Sequence, residues 1–512
     1  MTRNPEIYFY RLNLDSRPPA SQARVLQAGL RGNDKEESAP RNDIIFMDQL
    51  LYSIKKFIPQ KLFKKLQPAY HFLLSLAASV WYGWPSDKLI VIGVTGTTGK
   101  TTSIYLIAKI LNAAGFKAGF TSTAIFADGK NEWLNDKKMT MAGRFFTQKM
   151  LKRMVKNNCQ FGLVETTSQG IEQYRHRFIN YDILIFTSLY PEHIEAHGSF
   201  ANYKLAKGKL FKHLKKCRTK YADDKKRIVK TDSGFKKIES NRVKKTIIVN
   251  ADDQQAEYFL SFWAEEKWGY KVKSQNPKPQ INLVEYGKIK NNNQGIKFEA
   301  SETEIRLNLL GEYNAANAMT AVCLGLSQGI SLEKIKAGLE KIKSIPGRME
   351  LIKNVEPAFT VIVDYAFEPE ALKKIYNTIL KLEHNKIIHI LGSAGGGRDV
   401  ARRPKLGCLA GEKADLVIVT NEDQYDDDPK IIIDQVAAGA EDVGKVLNKN
   451  LFKIEDRREA IKKALSQAQT DDIVLITGKG CEQAICVAGG KKIKWDDREV
   501  VKEELKKLEE NK

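Results

Sequence analysis

The sequence predicts an α/β protein with two successive parallel β-sheets, each covered by helices. The first observation is the stretch 89–103, LIVIGVTGTTGKTTS, where an apolar run breaks into a turn rich in glycine and threonine before helical spacing resumes. The second is that apolar runs ending in polar clusters alternate with helical patterns, both before and after residue 346. Such alternation is typical of parallel sheets whose strands are joined by crossover helices.

Length and composition indicate a globular chain of several domains. The 512 residues correspond to about three domains of ordinary size. Six scattered cysteines without a CxxC pair favour a reducing cytoplasm over a disulfide framework. The net charge of +21 comes mainly from lysines on helix faces, without the interleaved aromatic residues that single-stranded nucleic acid requires. We therefore expect no nucleic-acid partner, and attraction to anionic ligands or lipid head groups is the alternative to a solvated basic surface.

Two segments precede the first predicted strand. Residues 1–46 are polar, contain prolines and predict a disordered extension without a secretory signal. Residues 47–88 predict a basic and apolar helical segment, whose apolar run 69–84 is shorter than the about 20 residues that a membrane span needs. This segment either packs on the next domain or touches the inner face of the membrane as an interfacial helix, and a cytoplasmic location fits both.

The turn after the first strand predicts a phosphate-binding loop. Gly96 and Gly99 allow backbone N–H groups to surround phosphate oxygens, and Lys100 supplies a cation at the start of a helix. The hydroxyl of Thr101 is the expected ligand of Mg²⁺. Val94 stands where the general P-loop pattern has glycine, and a glycine-rich turn without a nucleotide is the alternative. The predicted nucleotide-binding loop comprises Gly96, Thr97, Thr98, Gly99, Lys100, Thr101 and Thr102.

Polar side chains also follow the next two predicted strands of the central domain. Glu165 ends the strand within 159–170, and His193 follows the strand that begins near residue 181. Ligands collect at the carboxyl ends of parallel strands, so we expect these residues to share one site with the loop. Glu165 is the best placed Mg²⁺ ligand, with a helix-capping role as the alternative. His193 could bind metal or phosphate, or be structural.

A central domain is predicted over 89–345 and a Rossmann-like C-terminal domain over 346–512. Residues 271–310 are expected to form short antiparallel strands, and the polar strand ends of the second sheet are expected to form the other half of a cleft. Arg348 and Asp364 could reach a ribose and a phosphate. The arginines that could clamp an anionic substrate, or simply begin a basic helix, are Arg398, Arg402 and Arg403. These residues predict an ATP-binding enzyme whose phosphate acceptor is a hydroxyl, water or a carboxylate.

Ten ordered motifs extend this interpretation. They are TGTTGKTT (95–102), VETTSQG (164–170), the segment 187–211, NADD (250–253), GEYNAANAMTA (311–321), GRME (347–350), DYAFEPEAL (364–372), GGGRDVARRP (395–404), GKGCE (478–482) and DDRE (496–499). Together they resemble the Mur ligases over residues 89–505, most closely the type that adds the third amino acid to a UDP-N-acetylmuramoyl dipeptide.

The resemblance implies an ATP-dependent ligase that activates a carboxylate as an acyl phosphate, which an amine then attacks. It implies that Lys100 holds phosphates and that two Mg²⁺ ions are bound through Thr101, Glu165, His193 and a carbamylated Lys207. It places Asn317 near the adenine, with Arg348 and Asp364 near the ribose and phosphates. It also implies a monomer that binds an anionic peptide and an amino acid. The residues implied in substrate binding are Ser168, Arg398, Tyr425, Lys479 and Glu482.

Departures from the family pattern concern the substrate. Phe367 stands where the family has histidine, and Cys481 replaces another histidine. Residues 422–425 align with the motif whose arginine would hold the distal carboxylate of diaminopimelate, and that arginine is absent. The family's N-terminal domain for the UDP-sugar has no counterpart in residues 1–88.

The primary prediction is a ligase that adds an amino acid to a peptidoglycan-precursor peptide. The alternatives are a polyglutamylating or cyanophycin-like amide ligase, and a P-loop ATPase or phosphotransferase. A ligase-derived binding protein is disfavoured because Lys100, Glu165, His193 and Lys207 are retained.

Overall fold

The computed structural model describes residues 60–192, 194–221, 227–231, 234–238, 242–273, 281–353, 357–397 and 400–510. The chain divides into two compact units. One consists of Met1–Leu74 and Tyr221–Arg242, and its described residues include the hairpin of β8 (Arg227–Thr231) and β9 (Gly234–Ile238). The other consists of Ser75–Lys220 and Val243–Lys512 and is called the main unit below. All the described residues predicted to form the site lie in the main unit.

The larger sheet of the main unit has eleven strands in the order β15-β14-β13-β12-β11-β6-β1-β5-β2-β3-β4. Its strands are β1 (Ile90–Thr95), β2 (Ala118–Thr121), β3 (Ile125–Ala127), β4 (Glu132–Leu134), β5 (Phe161–Glu165), β6 (Ile183–Phe186), β11 (Thr246–Asn250), β12 (Glu266–Val272), β13 (Asn282–Asn292), β14 (Gly295–Ala300) and β15 (Thr303–Leu307). The short strands Lys220–Tyr221 and Arg242–Val243 lie outside this sheet.

The register at the centre of this sheet positions the site. Strand β1 runs parallel to both β5 and β6, with Val94 opposite Glu165 and Thr95 opposite Phe186. The three strands therefore end at the same edge of the sheet, as the sequence predicts. All three are buried, which explains why they read as continuous apolar runs instead of alternating ones.

The expectation for residues 271–310 is partly wrong. Strands β13, β14 and β15 are antiparallel, but β12 and β13 run parallel, with Tyr270 opposite Val284. Two tight reversals join these strands, one from Asn292 to Gly295, where the polar turn NNNQG lies, and one from Ala300 to Thr303. A hairpin signal was thus present at the first of these turns and absent between β12 and β13.

Helices cover both faces of the larger sheet. Lys100–Ala113 and Tyr313–Ser327 bury apolar side chains in one core, and Arg144–Lys156 and Phe200–Leu214 bury theirs in the other. The remaining helices of this part are Ser168–Glu172, Ile194–His197, Ala256–Leu260 and Leu332–Glu340.

The second sheet has six strands in the order β16-β17-β21-β18-β19-β20. Strand β16 is antiparallel to β17, a pairing absent from the sequence prediction, and the other strands are parallel. Its strands are β16 (Glu350–Lys353), β17 (Thr360–Val363), β18 (Ile387–Leu391), β19 (Leu416–Thr420), β20 (Leu451–Ile454) and β21 (Ile473–Ile476), followed by the hairpin of β22 (Ala484–Cys486) and β23 (Lys492–Lys494). The helices around it are Pro369–Ile379, Arg402–Lys413, Pro429–Glu441, Arg457–Gln467 and Asp497–Glu510.

One helix, Gln60–Trp81, precedes the first strand. From Ser75 onward it packs on the main unit, where Ser75 Oγ donates to the carbonyl of Tyr174 at 2.9 Å. Across the described ranges, none of the helices combines the length and the apolar character needed to cross a membrane.

Candidate active site

A cavity of about 780 Å³ extends from the phosphate loop to the strand ends of the second sheet. Most of the predicted site residues line it, so Glu165 at the end of β5 and the loop share one place, while the same expectation for His193 stays a prediction. The predicted residues that line it are Thr97, Thr98, Gly99, Lys100, Thr101, Thr102, Glu165, Ser168, Asn317, Arg348, Asp364, Arg402, Tyr425 and Glu482. Gly96, Lys207 and Lys479 lie behind its walls, and His193 and Arg398 fall outside the described residues.

The phosphate loop has a conformation that glycine alone tolerates. Gly99 has φ 82°, and a Cβ there would lie 2.4 Å from Oδ1 of Asn317. Residues that follow β6 hold the loop in place: the N–H of Thr97 donates to the carbonyl of Ser188 at 2.8 Å, and Thr187 Oγ1 donates to the carbonyl of Thr98 at 2.7 Å. These hydrogen bonds tie the loop to the residues that follow β6.

Two lysines, the half-buried Lys100 and the buried Lys207, donate to carbonyls of the loop. Lys100 Nζ donates to the carbonyls of Gly96 at 3.1 Å and Thr97 at 2.7 Å, and Lys207 Nζ donates to that of Gly96 at 2.9 Å. Burial lowers the pKa of both amines; the charge of Lys100 lowers that of Lys207 further, whereas nearby carboxylates act in the opposite direction. Among the described side chains, no carboxylate lies within ion-pair distance of either lysine, so both can interact with phosphate groups.

Thr101 and Glu165 form a set of hard oxygen ligands beside the loop. Thr101 Oγ1 donates to Glu165 Oε2 at 2.9 Å. Thr123 fixes the carboxylate, with its N–H at 2.8 Å from Oε2 and its hydroxyl at 2.9 Å from Oε1. A buried carboxylate and a hydroxyl next to a phosphate loop suit Mg²⁺, which takes one or two protein ligands together with substrate phosphates.

The donor set at the loop also fits ATP as the source of those phosphates. In the described part of the chain, no three His, Cys, Asp or Glu side chains form a metal site by themselves. Thr101 and Glu165 would hold a metal here together with phosphate oxygens of the nucleotide. The sequence did not single out Thr123, because its role depends on the loop after β2 approaching the end of β5.

Arg348, which belongs to the segment after residue 346, lies at the phosphate-loop end of the cavity. Its Nη2 lies 3.4 Å from Thr101 Oγ1, and its guanidinium stacks 4.5 Å from the ring centroid of Tyr365. Asp364 accepts the N–H groups of Met349 and Ala366, each at 2.7 Å, and burial raises the pKa of this carboxyl, with Arg348 opposing. Both residues thus line the cavity, and their roles toward the ribose and phosphates stay predictions.

Ser168 and Asn317 also lie at this end. Ser168 Oγ is 3.0 Å from Nε2 of His197, and Asn317 donates to Oδ1 of Asn314 at 2.8 Å. Asn317 lies against Gly99, hence beside the phosphate loop; its role toward the adenine stays a prediction.

Four charged side chains form a buried cluster at the far end of the cavity, called the far-end cluster below. Lys138 Nζ lies 2.8 and 2.6 Å from the two carboxylate oxygens of Asp423 and 3.0 Å from Glu482 Oε2. Lys479 Nζ lies 3.0 Å from Asp423 Oδ1 and 2.6 Å from Glu482 Oε2. Sequence reasoning assigned substrate binding to Lys479 and Glu482 but missed Lys138, for which no motif or periodicity gave a signal.

Three further predicted or neighbouring residues complete this end. Arg402 lines the cavity with its guanidinium 5.2 Å from the ring centroid of Phe367, whereas Arg403 turns away to Gln435 at 2.7 Å. The Oε2 atom of Glu422 is buried without a hydrogen-bond partner among the described residues, and burial together with Asp423 raises the pKa of this carboxyl.

Comparison with known proteins identifies the family. Residues 94–325 match the Mur ligase middle domain, and residues 347–480 match the Mur ligase glutamate ligase domain. The UDP-N-acetylmuramyl-tripeptide synthetase of Roseiflexus sp. (strain RS-1) is 33% identical over 443 residues, which is 85% of this chain and 82% of the relative. The UDP-N-acetylmuramoyl-L-alanyl-D-glutamate--2,6-diaminopimelate ligase of Clostridium tetani (strain Massachusetts / E88) is 32% identical over 444 residues, 85% of this chain and 81% of the relative.

Solved structures share the same fold. A UDP-N-acetylmuramoyl-L-alanyl-D-glutamate--2,6-diaminopimelate ligase superposes with a TM-score of 0.52 and 25% identity, covering 82% of this chain and 79% of the other. The folylpolyglutamate synthase of Mycobacterium tuberculosis gives a TM-score of 0.60 at 16% identity, covering 85% and 96%, which is a likeness of fold alone. The predicted α/β fold, the use of ATP and Mg²⁺, and the class of ATP-dependent acid–amino-acid ligase are thereby confirmed, and the chain belongs to the Mur ligase family.

Proposed function

We propose that this Mur ligase joins an amino acid to a carboxylate of a peptidoglycan-precursor peptide. The observation that carries the proposal is the single cavity in which the phosphate loop, the Thr101–Glu165 oxygen pair and Arg348 meet. The relatives named above act on UDP-muramoyl peptides, which supports this class of acceptor.

The reaction follows from the charges at the loop. Lys100 and the loop amides bind the phosphates of ATP, while Arg348 lies where charge develops on the transferred phosphoryl group. A carboxylate oxygen of the peptide attacks the γ-phosphorus and ADP leaves. The amino group then attacks the acyl carbon, inorganic phosphate leaves and the nitrogen loses its proton. Mg²⁺ held through Thr101 and Glu165 would neutralise charge on the phosphates.

We also propose that Lys207 carries a carbamate in the active enzyme. Its amine adds to CO₂ with loss of one proton, a reaction that requires the neutral amine. The lowered pKa of Lys207, caused by burial and by Lys100, favours that form. The product would be an anionic oxygen ligand beside Gly96.

Substitution of Lys207 distinguishes a carbamylated lysine from one that is purely structural. Lys207→Ala should lose activity and regain part of it with added formate or acetate, which restore a carboxylate. Lys209→Ala, on the same helix but exposed and paired with Glu172, is the matched control and should change little. Full activity of Lys207→Ala in bicarbonate-free buffer would contradict the carbamate.

The direct test of function is phosphate release from ATP with a UDP-muramoyl dipeptide and a panel of amino acids, followed by the mass of the product. Release that depends on both substrates and yields an amide of the expected mass is the predicted result. Release without an amino acid would indicate an ATPase. Release with glutamate and a glutamyl acceptor alone would favour the polyglutamylating alternative and sink the peptidoglycan assignment.

A finer proposal concerns location. We propose that the enzyme works in the cytoplasm as a monomer, and that the helix Gln60–Trp81 contacts anionic lipid. Leu73, Val80 and Trp81 on this helix are exposed, and its first turns are rich in lysine. Cosedimentation with phosphatidylglycerol vesicles should be weakened by Trp81→Ser, and equal pelleting with and without vesicles would contradict the contact.

A further inference from the structure

The far-end cluster contains as many ammonium groups as carboxylates. Lys138 and Lys479 face Asp423 and Glu482 at 2.6–3.0 Å, and none of the four side chains is more than 15% exposed. Each carboxylate contacts both lysines. The cluster is therefore neutral and complete without a ligand.

Lys138 reaches the cluster from another part of the chain. It lies in the loop between β4 and the helix Arg144–Lys156, 285 residues before Asp423, and its backbone adopts a positive φ of 52°. Burial alone would lower the pKa of its amine, but Glu482 and Asp423 outweigh burial and raise it. Lys138 is thus an ammonium group that the protein itself places beside two carboxylates at the cavity wall.

The neighbouring carboxylate, Glu422, also lines the cavity. Its Oε2 is buried without a hydrogen-bond partner among the described residues, and burial together with Asp423 raises the pKa of this carboxyl. Arg402, the cation that lines the cavity nearby, has the carboxylate of Glu192 at 4.0 Å. Within the four-residue cluster itself, neither carboxylate is left without an ammonium partner.

The cluster is connected to the reacting end by a short path. The phenol oxygen of Tyr365 lies 3.4 Å from Glu482 Oε1, and the ring of Tyr365 stacks on Arg348, which contacts Thr101. One tyrosine and one arginine therefore separate the two ends. Thr101 and Lys138 line the same cavity, so both ends are open to one bound substrate.

We propose that Lys138 determines specificity by filling the place that a cationic side chain of the amino acid would otherwise occupy. This inference rests on the proposed function and refines its substrate: the amino acid added has no second ammonium group. The Clostridium tetani relative is named for 2,6-diaminopimelate, a diamino acid, and this chain departs from that choice.

The test compares lysine with norleucine, which has the carbon chain of lysine without the ammonium. The ratio of kcat/KM for the two amino acids is measured by phosphate release in wild type, Lys138→Met and Lys137→Met, and their binding is measured by calorimetry. Lys137 is the adjacent lysine, exposed and paired with Asp136, and serves as the matched control.

Wild type should use norleucine at least as well as lysine. Lys138→Met leaves an unneutralised carboxylate and should raise the lysine-to-norleucine ratio by about tenfold or more, the value of a charged hydrogen bond. Lys137→Met should leave the ratio unchanged. A wild-type preference for lysine, or an unchanged ratio in Lys138→Met, would overturn the inference.

Measuring amino-acid binding separates failure of this inference from failure of the proposed function. If no amino acid stimulates phosphate release, the proposed function fails, but lysine bound by Lys138→Met and not by wild type still supports the subsite. Absence of that gain overturns the subsite even when the ligase is active. Should Lys138→Met fail to fold, the wild-type preference between lysine and norleucine decides alone.

Discussion

The lysines at the two ends of the cavity have different kinds of hydrogen-bond partner. At the phosphate end, Lys100 and Lys207 donate to backbone carbonyls and have no ion-pair partner in the described part of the chain. At the far end, Lys138 and Lys479 are each paired with two carboxylates. The lysines of the phosphate end are thus available to an anionic ligand, whereas those of the far end are already paired.

This difference indicates which charges the substrates bring. A buried charge without a partner is costly, so its retention points to a ligand that supplies the missing charge during the reaction. A buried charge that is fully paired contributes to the structure and leaves nothing for a ligand to neutralise. Replacing one lysine at each end by an uncharged residue tests this contrast.

The largest expected effect is on activity at the phosphate end. Lys100→Met should reduce phosphate release by on the order of 10³-fold, because a preorganised cation at the transferred phosphoryl group is lost. The thermal midpoint should not fall, because the variant removes a half-buried ammonium that has no ion-pair partner among the described residues. Lys109→Met, on the same helix but paired with Glu132 near the surface, is the control and should retain activity. If Lys100→Met is unstable but keeps its activity, Lys100 contributes to stability and not to catalysis.

The second effect is on stability at the far end. Lys479→Met leaves Asp423 and Glu482 with Lys138 alone and should cost about 3–5 kcal/mol, the usual result of breaking a buried pair. Urea unfolding followed by tryptophan fluorescence measures the loss. Lys137→Met, which breaks an exposed pair, should stay within about 1 kcal/mol of wild type. Equal stability of Lys479→Met and wild type would show that the cluster is not structural.

The phosphate end could be predicted from the sequence because its parts are adjacent in the sheet. The parallel register places Glu165 beside Val94, so a strand, a turn and a strand end were enough to bring Thr101 and Glu165 together. The α/β class followed from the same buried apolar runs. The boundary between 89–345 and 346–512 stays a prediction.

The far end could not be predicted because it depends on how two sheets meet. Lys138 and Asp423 are 285 residues apart, and neither belongs to a periodic pattern that fixes its direction. Sequence also cannot decide between neighbours on a helix: Arg402 faces the cavity and Arg403 does not, because successive helical residues point about 100° apart. Lys138 was missed for this reason, although Lys479 and Glu482 were included through their motif.

The smallest of the three effects compares ligand binding at the two ends. A non-hydrolysable ATP analogue with Mg²⁺, at about one hundred times its dissociation constant, should raise the unfolding free energy of wild type by about 2.7 kcal/mol. At the same concentration Lys100→Met should lose most of this gain, because its phosphate end no longer supplies the cation. Lys479→Met should keep the gain on top of its lower baseline, since the far end does not contact the nucleotide. Thermal shift assays on the three proteins measure these changes, and loss of the gain in Lys479→Met would mean that the far-end cluster also holds the phosphate end in place.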